Sequence, residues 1–246
     1  MHLTAKYRII SEGFYMITSD NAKRIKSFVQ GYLEMDLGPI TVHCPYWMNK
    51  IQDGKVAVRG KFNGKGTSKQ IKKTLLTALR RYSLKKDFTP EFIRKLAKRQ
   101  RIGIDCSGLV YRTLKYVLTT KSQKHKLNEI FPEGVNKTNS DMLTNRSISL
   151  RIGRSKDIRS TDLIRMNGGH HVLLVIQNDG KYIEYIHSSD QPKINGVHKG
   201  KIKIINPEAQ LDKQQWLERT ISGDDFGKKY FNPKKGDGVR RLKIFN

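Results

Sequence analysis

The sequence is poor in cysteine and in acid, and it has no long apolar run. Cys44 and Cys106 are its only cysteines. That is too few for a disulfide framework, and neither stands in a Cys-x-x-Cys pair, so a structural zinc site is not expected. No apolar stretch approaches the roughly 20 residues needed to cross a bilayer, which excludes a transmembrane helix from the reading. The opening residues, Met1-His2-Leu3-Thr4-Ala5-Lys6, lack the charged-then-apolar pattern of a signal peptide, and the compartment stays open. Asp and Glu number 22 against 48 Lys and Arg, a formal charge of +26. Such a surface attracts polyanions: nucleic acid, anionic lipid, or the phosphate-rich polymers of a bacterial wall. Charge alone does not choose among them.

What is present suits a globular chain. Its 246 residues leave room for one large domain or two small ones. There are no internal repeats and no low-complexity tract. Asn21 to Leu33, after Thr18-Ser19-Asp20, reads as a capped helix with Ile25, Phe28, Val29 and Leu33 on one stripe. Gly38-Pro39 breaks the chain before a short extended piece, Ile40 to Val42. Residues 51–100 hold 15 Lys and Arg against 3 Asp and Glu, with a Gly-rich loop from Gly60 to Gly66. One helix is expected from Ser68, with Ile71, Leu75, Leu76 and Leu79 apolar. Another begins near Thr89-Pro90 and carries Phe92, Ile93 and Leu96, the proline suiting a first helical turn. The charge on this block reads equally as a solvated face or as a docking surface.

A third helix is expected from Cys106 to about Leu118, with Leu109, Val110, Leu114, Val117 and Leu118 inward. After a polar stretch at 121–160 the pattern changes period. Val172 to Ile176 is a continuous apolar run, Asn178-Asp179-Gly180 a turn, and Tyr182 to Ile186 a second extended run. Ile202 to Ile205 and Val239 to Phe245 are further strand candidates. Helices followed by a meander of strands imply an α+β domain.

The stretch Gly103-Ile104-Asp105-Cys106-Ser107-Gly108-Leu109-Val110 carries the chemistry. Asp105 suits a helix N-cap, which places Cys106 in the first turn, where free N–H groups and the helix dipole favour a thiolate over the usual pKa of about 8.5. Gly108 leaves room beside the sulfur. A cysteine there is otherwise a small buried hydrophobe. A nucleophilic cysteine needs a base, and the base an orienting partner. Gly168-Gly169-His170-His171 leads into the apolar strand, and the next strand ends in His187. Counting back from the turn pairs Gln177 with Lys181, and then His171 with His187, on one face of the ladder. A slip of one residue would separate them.

This ordered set resembles the NlpC family, bacterial cell-wall cysteine peptidases related to papain. The family string appears as Asp105 to Val110. It is followed by Thr161-Asp162-Leu163-Ile164, His171-Val172 and Ile186-His187, and preceded by Cys44-Pro45-Tyr46-Trp47. The resemblance covers about residues 41–205. It implies one papain-like catalytic domain over 1–246, with helices on an antiparallel sheet and the nucleophile at a helix N-terminus. Cys106 is then the nucleophile, His171 the base and His187 the third residue. Tyr46, Asp105, Ser107 and His170 are expected around the substrate, with His170 also a competitor for the role of base. The implied reaction is metal-free hydrolysis of amide bonds in peptidoglycan stem peptides, with no cofactor, at the cell surface or outside the cell.

The sequence departs from the family at three places. Thr161 replaces a glycine, Met48-Asn49 replaces a Gly-Gly, and the long gap from Tyr46 to Cys106 makes residues 50–100 a basic, largely helical insertion. Two other functions use the same residues: a polyanion-binding module with an inactive hydrolase-like core, and a thiol acyltransferase acting on lipid. Gly60 to Thr67 lacks the spacing of a phosphate loop. His43, His125 and His198 have no metal spacing and are expected at the surface.

Overall fold

The structure is a computed structural model that describes residues 20–38, 40–82, 88–119 and 123–246. Helix α1 spans 20–33 and buries Ile25 and Val29 completely, with Phe28 packed beside them. Thr18 and Ser19 of its expected cap, and Pro39 of the expected break, lie outside the described residues. A small ladder follows, β1 (Met35–Asp36) against β2 (Thr41–Val42).

The basic block begins as a hairpin rather than a helix, β3 (Lys50–Gln52) with β4 (Lys55–Val58). Its helices are α2 (Ser68–Leu79) and α3 (Pro90–Gln100). Thr67 and Gln70 close a capping box on α2, and Thr89 caps α3 ahead of Pro90. Ile71, Leu75, Leu79, Ile93, Leu96 and Ala97 all enter the main core, so both helices are part of the body of the protein. Helix α4 (Cys106–Thr119) is the centre of that core: Leu109, Val110, Leu114, Val117 and Leu118 are fully buried. Each such side chain contributes about 1.5–3 kcal/mol on leaving water. The polar stretch hides two short helices, α5 (Lys124–Ile130) and α6 (Ser140–Leu143), and a strand, β5 (Ser149–Ile152).

The remaining elements are β6 (Leu163–Met166), β7 (His171–Asn178), β8 (Tyr182–Ser189), β9 (Gly196–Lys203), β10 (Gln215–Trp216), α7 (Phe226–Tyr230) and β11 (Gly238–Leu242). Seven strands form one curled antiparallel sheet in the order β10-β9-β8-β7-β6-β11-β5. Helix α4 packs on β7 and β8. Val172, Leu174, Ile176, Ile186 and Val197 belong to that helical core. The opposite face, with Leu173, Val175, Ile183, Tyr185 and Ile202, is covered by Trp216, Phe226 and Phe231 from the C-terminal segment. The protein is therefore α+β. The strand expected at Ile202 to Ile205 runs instead from Gly196 to Lys203, and Val197 is the one aliphatic residue in its first half. The one expected at 239–245 ends at Leu242 in a helical turn.

The β7–β8 register differs from the count made from the turn. Asn178 pairs with Ile183, so the loop is longer, with Asp179 Oδ1 accepting the N–H groups of Lys181 and Tyr182. A bulge then takes up Ile176, and Val175 pairs with Tyr185. The net slip from the expected pairing is two residues. Two preserves the pleat, so His171 and His187 still share a face although they are not direct partners.

Candidate active site

The start of α4 is held from three sides. The Ile104 N–H donates to the Pro45 carbonyl at 3.0 Å, and Trp47 N–H returns to the Ile104 carbonyl at 3.4 Å. This carries Tyr46 alongside the start of α4. The Asp105 N–H donates to the Gly64 carbonyl at 2.8 Å, and the Ser188 hydroxyl to the Ile104 carbonyl at 2.7 Å. Asp105 caps the helix as expected, its Oδ1 accepting the Gly108 N–H at 2.7 Å. The same oxygen takes the Lys65 ammonium at 2.8 Å, in a pair that is almost wholly buried. Lys65 also donates to the Ser107 hydroxyl.

The Gly-rich loop thus builds the site's floor and presents no phosphate cradle. The space left by Gly108 is filled by it: a Cβ there would lie 2.8 Å from the Lys65 side chain and 3.0 Å from the Gly64 carbonyl. Gly64 itself has φ +70° and faces the Trp47 carbonyl, where a Cβ would stand at 2.6 Å.

Cys106 is 6% exposed. Burial pushes its thiol up to about 11, and the adjacent Asp105 carboxylate adds to this. The Val172 N–H, Lys65 and the Ser107 N–H act in the other direction and are outweighed. The expected lowering of the thiol pKa at the helix start is therefore corrected: desolvation exceeds the N–H groups of the first turn. The Val172 N–H reaches the sulfur, so the backbone of β7 meets Cys106 one residue after His171.

His171 is delivered by a left-handed turn. Asn167, Gly168 and Gly169 all have positive φ, and a Cβ on Gly169 would meet the Arg165 guanidinium at about 2.3 Å. The Gly168 N–H is pinned by Asp237 Oδ1 at 2.9 Å. His171 Nε2 lies 2.8 Å from His187 Nδ1. His187 is fully buried, with its Nε2 3.0 Å from Glu218 Oε1. His198 Nε2 reaches the same oxygen at 2.8 Å, while its Nδ1 faces the Gly196 carbonyl at 3.0 Å. The Tyr185 hydroxyl donates to the other carboxylate oxygen. Phe226 closes the cluster, its ring 5.3 Å from that of His187 and 6.3 Å from that of His171.

Burial, reinforced by His187, pushes the His171 imidazole down to about 3, Glu218 acting against both. Burial likewise lowers His187 against the pull of Glu218. For Glu218 burial works upward, but the two histidines prevail and hold the carboxyl well below the ordinary carboxylate range.

Two of these residues were not anticipated. His198, expected at the surface, is 2% exposed because it lies on β9 directly opposite His187. His43 and His125 are exposed as expected. Glu218 follows β10 in a run with no motif, and nothing local distinguishes it from the other acids. His187, His198 and Glu218 also form the one group among the described residues whose donor atoms could surround a metal ion, all within 4.8 Å of one another. Both histidine nitrogens that face Glu218 already hydrogen-bond to its carboxylate, which is the bonding of a proton-holding chain.

A cleft of about 670 Å³ opens beside the site, lined by Tyr46, Trp47, Asn167, His170 and His171 among others, and Cys106 is not among its lining residues. Tyr46 is close enough to Cys106 and Asp190 for their charges to raise its phenol, after the larger effect of burial. His170 is exposed in the cleft, whereas His171 turns toward His187. Asp105 and Ser107 lie in the buried knot with Lys65 and do not line the cleft. In comparisons with known proteins the chain matches no protein-family model, no curated protein and no solved structure.

Proposed function

We propose that the protein is a cysteine amidohydrolase of the papain-like NlpC type, with peptidoglycan stem peptides as its leading substrate class. The observation that carries the reading is the 2.8 Å bond between His171 Nε2 and His187 Nδ1, made beside a cysteine in the first turn of a core helix. That bond leaves the other nitrogen of His171 to serve the thiol. In this scheme His187 accepts from His171 and donates to Glu218, so the orienting group is a histidine backed by a buried carboxylate.

With the thiol raised and the imidazole lowered, the resting pair is neutral, and the proton moves as attack occurs. Cys106 Sγ bonds to the amide carbonyl carbon while His171 takes the thiol proton. The developing oxyanion is met by the Cys106 N–H at the helix start. The C–N bond then breaks as His171 returns its proton to the departing amine. Water, deprotonated by His171, attacks the thioester, and the acid leaves as the thiol is restored. Glu218 stabilises the transient imidazolium through His187.

The test is alkylation of Cys106 by iodoacetamide at neutral pH in a Cys44→Ala background. His171→Ala should slow it by about 10²-fold, the usual worth of a general base. Alkylation indifferent to His171, with the fold intact by circular dichroism, would sink the hydrolase reading.

A further inference from the structure

One wall of the cleft is a single face of α3. Glu91, Arg94, Lys95 and Lys98 all line the cavity, and they follow the i, i+3, i+4, i+7 spacing of one helical stripe. The opposite stripe, Ile93, Leu96 and Ala97, is anchored in the core, so the orientation of the charged stripe is set by packing. Its only acid is already used: Glu91 binds the Lys95 ammonium at 2.9 Å. Arg94, Lys98 and Lys50, which joins them on the same rim, make no ion pair with any described residue. The other acid lining the cleft, Asp190, accepts from Gln191 Nε2 at 2.9 Å.

Arg94 and Lys98 are four residues apart on the helix, which sets their stems about 5–6 Å from one another. Alternate side chains of an extended peptide repeat about every 6.6 Å on one side. The two spacings are close enough for successive same-side carboxylates to meet the two cations, the guanidinium in a bidentate pair. We infer that the cleft binds an acidic peptide, with Arg94 and Lys98 engaging carboxylates of its alternate residues. This deepens the hydrolase reading, and rests on it only for which bond is then cut.

The measurement is fluorescence anisotropy with the Cys106→Ala protein, which binds without turnover. The probes are two labelled peptides, one alternating Glu with Ala and one alternating Gln with Ala. The acidic peptide should bind about tenfold more tightly, the sum of two exposed ion pairs, and the difference should shrink with added salt. In Arg94→Glu/Lys98→Glu the preference should vanish or pass to a Lys/Ala peptide. Lys69→Glu/Lys73→Glu, the same charge change on an exposed stretch of α2 outside the cleft, controls for the overall +26. Equal loss in the two reversed variants overturns the inference, as does equal binding of the Glu and Gln peptides. So does displacement of the acidic peptide by duplex DNA in the α2 control but not by excess free peptide. Because binding is read without catalysis, failure of the hydrolase reading leaves this result standing, and the reverse also holds.

Discussion

His171 Nε2 and His187 Nδ1 meet at 2.8 Å diagonally across the β7–β8 ladder, with Glu218 behind His187 at 3.0 Å. Replacing Glu218 by Gln keeps the side chain's shape and removes the charge that a transient imidazolium needs. Losing an orienting acid that touches the base directly costs about 10⁴ in kcat, and here one imidazole intervenes, so a loss of about 10²-fold is expected. KM for a cleaved peptide should stay unchanged, since Glu218 is buried away from the cleft. A change in KM with kcat intact would assign Glu218 to substrate binding instead.

The same cluster makes stability depend on pH. His171 is lowered from 6.5 to about 3 on folding, so between those values the unfolded chain holds a proton that the native protein refuses. Stability is full above about pH 6.5 and falls as pH drops toward 3, by up to about 1.4 kcal/mol per pH unit for the one group. Glu218, also lowered, adds a loss of the same sign at the acid end. Urea midpoints across this range should show the slope, and His171→Asn should flatten it. A slope unchanged in that variant would place the acid sensitivity elsewhere.

Thr161 stands where the resembled family has glycine, and its φ is +77°. A β-branched residue in that region is strained. Thr161→Gly should be more stable than Thr161→Ala by about 1 kcal/mol, because both remove the side chain and only alanine keeps the Cβ clash. Thermal melting of the two variants decides the sign; a more stable alanine variant would show that the turn carries no strain.

Asp162, the next residue, is fully buried and receives both Nε and an Nη of Arg241 on β11 at 2.7 Å each. Arg241→Met strands that carboxylate and should cost about 3–5 kcal/mol. Adding Asp162→Asn should restore part of the loss. Denaturant unfolding of the single and double variants measures the coupling, and an additive double variant would refute it.

The placement of α1 to α4 was legible because each has an apolar stripe at helical spacing and a local start signal, such as Thr89-Pro90 before α3. The turn at Asn178-Asp179-Gly180 was legible too, but its length was not. The bulge at Ile176 answers to packing on both faces of the sheet, which a residue count cannot see. Parity survived the error because the pleat repeats every two residues.

By itself the sequence determined local matters: the helices α1 to α4 and the strands β7 and β8, that Asp105 caps the helix of Cys106, and that His171 opens a strand. These follow from backbone propensity and side-chain period, which act over a few residues. Tertiary structure alone decided the rest. It brought Glu218 to His187 across 31 positions and to His198 across 20, set Lys65 against Asp105, and raised the Cys106 thiol instead of lowering it. Desolvation and long-range ion pairing depend on what surrounds a group in space, and those neighbours are chosen only when the sheet curls and the core closes.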